Sequence, residues 1–197
     1  MNHKRVIIPA ICVLLVTTMA VWGCGTSISP SGNVIATLTK AMKESYAVLY
    51  FDRGLDYEDR GEHDKAIACY TKAIELNPED NLFYHFRGYA YEGKGEYDKA
   101  IADYSKAIEV DPESWPTYDN RGRIYYSKGE YDKAIADYTK CIELKPEYVW
   151  AYYNRGLAYE SKGEYDKAIS DFEKVIDIAT DPELVEDARK ALEAIGK

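Results

Sequence analysis

Few residues in this chain are of a type and spacing that could do chemistry. Paired carboxylates can share general acid and base work, and Glu96/Asp98 is such a pair. The same pairing returns as Glu62/Asp64, Glu130/Asp132 and Glu164/Asp166, so it reads as structural punctuation rather than one acid/base dyad. A thiolate is a nucleophile or a metal ligand, but Cys69 and Cys141 stand alone and read as small packed hydrophobes. His63 and His85 have no partner at metal-ligand spacing. There is no HExxH, phosphate loop or serine elbow, and Gly93, Gly95 and Gly129 mark turns. The expectation is therefore no catalysis, no metal and no cofactor. A net charge of −9 without a basic stripe also excludes nucleic acid as partner.

The carboxylate pairs recur because the whole chain does. Tyr84–Pro112 reads YHFRGYAYEGKGEYDKAIADYSKAIEVDP, and shifting by 34 residues in either direction returns closely similar text. With copies starting at Ala47, Asn81, Trp115 and Val149, tyrosine occupies position 4, glycine 8 and tyrosine 11 of each. That spacing is about one helical turn. Glycine at position 15 breaks the helix. A second apolar face follows, with an aromatic or histidine at 17, alanine at 20, isoleucine at 21, an aromatic at 24 and isoleucine at 28. Glutamate at 16 and aspartate at 18 suit its positive end, and Pro78, Pro112 and Pro146 close it. Each copy is thus a helical hairpin too small to bury its own stripe, and stacking buries it.

Tyr84, Gly88, Tyr91, Ala100, Tyr104, Ala107 and Pro112 fall where the tetratricopeptide repeat has its signature residues, and the chain resembles that family over residues 47–182. The resemblance implies an all-α, right-handed superhelical solenoid of four hairpins (47–80, 81–114, 115–148, 149–182) with a partner-binding concave groove. It implies no chemistry. Arg53, Arg87, Arg121 and Arg155 at position 7 depart from the family, which more often has leucine there. Paired with Asp103, Asp137 and Asp171 at position 23, they predict a ladder of Arg–Asp contacts in the later repeats, each worth at most about 1 kcal/mol if exposed. Cys69 breaks the series. Val175 replaces the usual alanine of position 27, and two residues inserted before Pro182 predict a fourth second helix overrunning by half a turn.

Both ends differ from the repeats. Lys4 and Arg5 precede the uncharged apolar run Val6–Trp22, the pattern of a secretory signal over residues 1–23. Val21-Trp22-Gly23-Cys24 resembles a bacterial lipobox, with Trp22 where that motif usually has a small residue. The resemblance implies a lipidated Cys24, and Gly25 after it favours an outer membrane where the host has one. The alternative is an uncleaved anchor helix. Residues 24–46 comprise a small, polar tether and a helix in which Val34, Leu38, Ala41 and Met42 share a side predicted to cover the first repeat. Residues 183–197 form a capping helix, Leu184, Ala188, Leu192 and Ile195 making its apolar face.

On each first helix, positions 2, 5, 9 and 12 lie about 115° round from the packing stripe. In the resembled family this second stripe lines the groove. Most of the 19 tyrosines sit at packing positions 4, 11, 17 or 24, but Tyr89, Tyr126 and Tyr153 fall on the groove stripe, joined by Phe51 and Trp150. Aromatics there suit anchoring. Leu55, Leu82, His85, Asp119, Arg123 and Leu157 complete the candidate surface, flanked by Asn120 and Asn154, whose amides suit an extended peptide backbone. Family members that clamp a C-terminal carboxylate have lysine at position 5, where this chain has Phe51, His85, Asp119 and Tyr153. A hydrophobic or aromatic peptide with some basic character suits this surface better than an acidic tail. The reading is a non-catalytic, envelope-anchored adaptor with a protein or peptide partner, which the resemblance to bacterial lipoproteins links to envelope assembly machinery. The alternative is a self-associating module whose groove takes its own N-terminal segment.

Overall fold

A computed structural model describes residues 32–196. The signal segment, Cys24 and the tether lie outside the described residues. The described residues form nine helices: α1 Gly32–Glu58, α2 His63–Leu76, α3 Asn81–Gly93, α4 Tyr97–Val110, α5 Trp115–Ser127, α6 Tyr131–Leu144, α7 Val149–Ser161, α8 Tyr165–Ile178 and α9 Pro182–Ile195. None of them is long and apolar enough to cross a membrane. They fold as successive hairpins, in two compact units that divide between Ala90 and Tyr91 within α3.

The recurrent residues explain the recurrent geometry. Gly61, Gly95, Gly129 and Gly163 take φ of +69° to +77°, a left-handed turn that other residues enter only at a cost. Each following glutamate is the N-cap of a 14-residue second helix, with aspartate in its first turn. The position-24 rings of Tyr70, Tyr104, Tyr138 and Phe172 are fully buried. Three of them lie against position-8 glycines: a Cβ on Gly54 would sit 2.4 Å from Tyr70, on Gly122 2.9 Å from Tyr138 and on Gly156 2.7 Å from Phe172. Alanine at position 20 is wholly buried in every copy, which lets the helices of each hairpin approach closely.

Three expectations change. First, α1 runs unbroken into the first repeat, yet Ala41 and Met42 are exposed rather than covering it. At 1.5 Å per residue, a 27-residue helix is about 40 Å long and the 14-residue α2 about 21 Å, so α2 flanks only part of α1. Second, α8 ends at Ile178 and is no longer than its counterparts. Ala179 and Asp181 are extended, the latter because it precedes a proline and caps α9 by accepting from the Glu183 N–H at 3.0 Å. Val175 is buried and meets Leu184 and Ala188 of α9, whose Leu192 and Ile195 pack alongside, so α9 covers the last hairpin as read from its pattern.

Third, the arginine ladder is buried. Arg121 gives Asp137 paired hydrogen bonds of 2.8 and 2.7 Å, and Arg155 does the same to Asp171 at 2.8 and 2.8 Å. The aspartate side chains are 7 % exposed and the arginines 17 %. Each guanidinium also reaches back to a hydroxyl of the preceding repeat, Arg121 to Ser105 at 2.9 Å and Arg155 to Thr139 at 3.1 Å. Arg87 reaches Thr71 likewise at 3.1 Å. The tyrosines of positions 4 and 11 flank the heads, with Tyr118 and Tyr125 each 5.8 Å from Arg121. Arg53 donates instead to the Tyr57 hydroxyl at 3.1 Å.

Candidate functional site

In the first unit the candidate residues divide by burial. Phe51 is a packing ring, 5.8 Å from Tyr70, 5.2 Å from Phe83 and 5.2 Å from Phe86. Leu55 packs beside it, half-buried. Repeat packing therefore uses Phe51, contrary to its treatment as a spare aromatic. His85 is half-buried with its ring edge-on to Phe86 at 5.3 Å, and burial lowers its pKa to about 4, so it is neutral at physiological pH. Leu82 and Tyr89 are 45 % and 47 % exposed.

In the second unit α5 and α7 bring the remaining candidates together. Trp150 is 46 % exposed, its ring edge-on to Tyr153 at 6.0 Å. Tyr153 in turn lies 5.8 Å from Phe172 and is half-buried with Leu157 in the terminal core, so it both packs and borders the surface. Tyr126 is half-buried, 5.5 Å from Tyr131 and within 3.4 Å of the Ser161 hydroxyl. With Glu160, Tyr165, Ala194 and Ile195, Tyr126 and Ser161 line a shallow depression. Arg123 is exposed and donates to Glu92 at 2.5 Å, while Glu92 also accepts from the Tyr104 hydroxyl at 2.9 Å. Asn120 and Asn154 are half-buried.

Asp119 is the unusual member of this face. It is only 5 % exposed, its Oδ2 accepts from the Tyr148 hydroxyl at 3.4 Å, and its Oδ1 has no partner. Burial pushes its carboxyl above the usual range, while Arg123, Tyr148 and Asn154 pull the other way. Tyr148, at none of the four packing positions, is held here: its ring is tilted against Trp115 at 4.6 Å and its hydroxyl reaches Asp119.

Position 17 also departs from its packing role, since Tyr97 and Tyr165 are 44 % and 53 % exposed at the hairpin turns. Cys69 and Cys141 are free and buried, burial raising both thiols, Cys141 to about 12. No group of three metal-ligating side chains occurs among the described residues.

Repeat-family profiles match this chain piecewise: one described as TPR repeat over residues 122–163, and three described as tetratricopeptide repeat over 51–117, 104–136 and 149–181. The crystal structure of MamA is 32 % identical, over 78 % of this chain and 80 % of that one, with a TM-score of 0.64. This chain belongs to the tetratricopeptide repeat family. A tetratricopeptide repeat protein from Parabacteroides merdae shares the fold at 23 % identity and a TM-score of 0.70, over 76 % of this chain and 60 % of that one. The first tetratricopeptide domain of Spaghetti (RPAP3), solved with the HSP90 peptide SRMEEVD, shares it at 24 % identity and 0.53, over 64 % of this chain and 91 % of that one. No curated protein sequence matches.

The chain is accordingly a tetratricopeptide protein–protein interaction module, and the families that match it are repeat scaffolds, typically non-catalytic. What the sequence reading missed is the polar support behind the tetratricopeptide packing. Thr71, Ser105 and Thr139, which receive the arginines, share position 25, so a hydroxyl recurring every 34 residues was the available signal.

Proposed function

We infer that this protein is a non-catalytic adaptor of the bacterial envelope, lipidated at Cys24, whose first-helix faces hold a peptide segment of a partner. The carrying observation is Trp150 in the second unit, nearly half exposed at a first-helix position that hairpin packing does not use, with Tyr89 the like case in the first unit. Large exposed aromatics on a repeat scaffold favour a covering partner, and such rings make good anchors. The Spaghetti domain gives a precedent for peptide capture on this fold. An acidic tail of that kind does not suit this chain, whose position 5 carries Phe51, His85, Asp119 and Tyr153 instead of lysine. Lipid attachment is supported by the apolar run ending in Gly23-Cys24, and two or more acyl chains would give durable anchoring.

Affinity capture from envelope extracts with the full chain tests the adaptor role. Trp150→Ala and Tyr89→Ala should each weaken capture by roughly tenfold or more, the loss typical of an interface anchor, with little change in thermal midpoint. Retained capture by both variants would end this reading. For the anchor, Cys24→Ala should accumulate as unprocessed precursor. Normal processing of that variant would show that Cys24 carries no lipid.

A further inference from the structure

Resting on that peptide-binding reading, we propose that the α5–α7 face selects a peptide bearing a lysine or arginine side chain, with Asp119 as its counter-charge and Trp150 as the aromatic surface beside it. Asp119 is a carboxylate taken out of water without its full set of donors. An ionised carboxylate offers about four acceptor sites, and here Oδ1 is unpartnered while Oδ2 has a tyrosine hydroxyl at the long limit of a hydrogen bond. A buried acceptor left in that state costs free energy that a charged donor recovers. Among the described residues the cation acting on Asp119 is Arg123, which lies a turn away on α5 and donates to Glu92 instead.

The surroundings add negative charge and aromatic surface. Glu160 makes no ion pair among the described residues, and both Glu160 and Asp187 lie close enough to act on the Tyr153 hydroxyl. Among the described residues Asp187 pairs only with the exposed Lys190, at 3.8 Å. Trp150 stands four residues before Asn154, on the side of α7 from which Asn154 acts on the Asp119 carboxyl. A cation over an indole face gains further attraction, more when desolvated. Burial disfavours Asp119 ionisation in the unbound protein, and an incoming ammonium or guanidinium reverses that. The same charges disfavour an acidic peptide.

The experiment is selection of a randomised 12-residue peptide pool, blocked at both termini, on the immobilised full chain. Blocking the ends ensures that any amine recognised is a side chain. Retained peptides should be enriched about tenfold or more in lysine or arginine at one register. Asp119→Asn, nearly isosteric, should still retain peptides but lose that enrichment to less than about twofold. Trp150→Ala should lower retention of the enriched class by about tenfold. Wild-type retention without basic enrichment, or enrichment that survives Asp119→Asn, overturns the cation assignment while leaving peptide binding intact. No retained peptide at all overturns both. Should Asp119→Asn fail to fold, Arg123→Gln combined with Glu92→Gln reads the same charge from the other side, the second change removing the carboxylate that the first would free. Removing the cation within reach of Asp119 should raise basic enrichment, and an unchanged value overturns the proposal.

Discussion

Removing the Asp137 carboxylate is the sharpest perturbation of the scaffold. Asp137→Ala leaves the Arg121 guanidinium 17 % exposed, without the 2.8 and 2.7 Å bonds to the carboxylate and with only the 2.9 Å bond to Ser105. An exposed pair would contribute at most about 1 kcal/mol, whereas breaking a buried one costs about 3–5 kcal/mol because a charge is stranded. Partial solvent access to Arg121 reduces that penalty, so a loss of about 2–4 kcal/mol is expected. For a chain of this size that is a fall of roughly 5–15 °C in thermal midpoint. The pair itself is not expected to be strongly favourable. Burial raises the Asp137 carboxyl despite the opposing pull of Arg121, so desolvation is only partly offset. The double replacement Arg121→Met with Asp137→Leu should therefore recover most of the loss. Urea unfolding followed by circular dichroism on both single variants and the double variant completes the cycle. A loss under about 0.5 kcal/mol for Asp137→Ala would show that the arginine head is solvated and the ladder ornamental.

Cys69→Asp should complete the ladder where it is broken, since Arg53 already lies within electrostatic reach of Cys69; a higher midpoint in urea unfolding is expected, and a lower one would mean the carboxylate is stranded. Gly122→Ala should destabilise by about 1–3 kcal/mol despite alanine's helix preference, because its Cβ meets the buried Tyr138 ring, and an unchanged midpoint would show that this ring can move. Gly129→Ala has open space but φ of +75°, so only a strain cost of about 1–2 kcal/mol is expected. His85 is neutral in the fold down to about pH 4, whereas the unfolded chain binds its proton near 6.5; stability therefore falls as pH drops through that window, by at most about 3 kcal/mol. His85→Gln should flatten this part of the pH–stability curve, and parallel curves for the two proteins would rule His85 out as the cause.

The candidate face was legible in register but not in depth. Positions 2, 5, 9 and 12 follow from helical geometry, and Trp150 and Tyr89 are exposed where that geometry leaves them. Phe51 and Tyr153 occupy the same register yet pack on Phe83 and Phe172, because a long ring can lean from the edge of a stripe into the neighbouring core. Subtracting packing tyrosines by position could not detect this. Nor could it see Tyr97 and Tyr165 standing half exposed at a nominal packing position, or Tyr148 engaged with Trp115 and Asp119.

Local rules set the elements. A glycine at position 15 admits the left-handed turn, the following glutamate and aspartate open a helix, and a proline prevents it continuing, so period, hairpins and cap are written in short-range chemistry. Tertiary packing decided the electrostatics. Arg121 and Asp137 are sixteen residues apart, and whether they form an exposed pair or a buried one depends on how closely two helices and the preceding repeat's Ser105 enclose them. The same holds for Asp119, an ordinary polar residue of a first helix until Tyr148 and Asn154 close over it and leave one oxygen unpaired. Desolvation is a property of everything that surrounds a group, and no spacing within one helix specifies it.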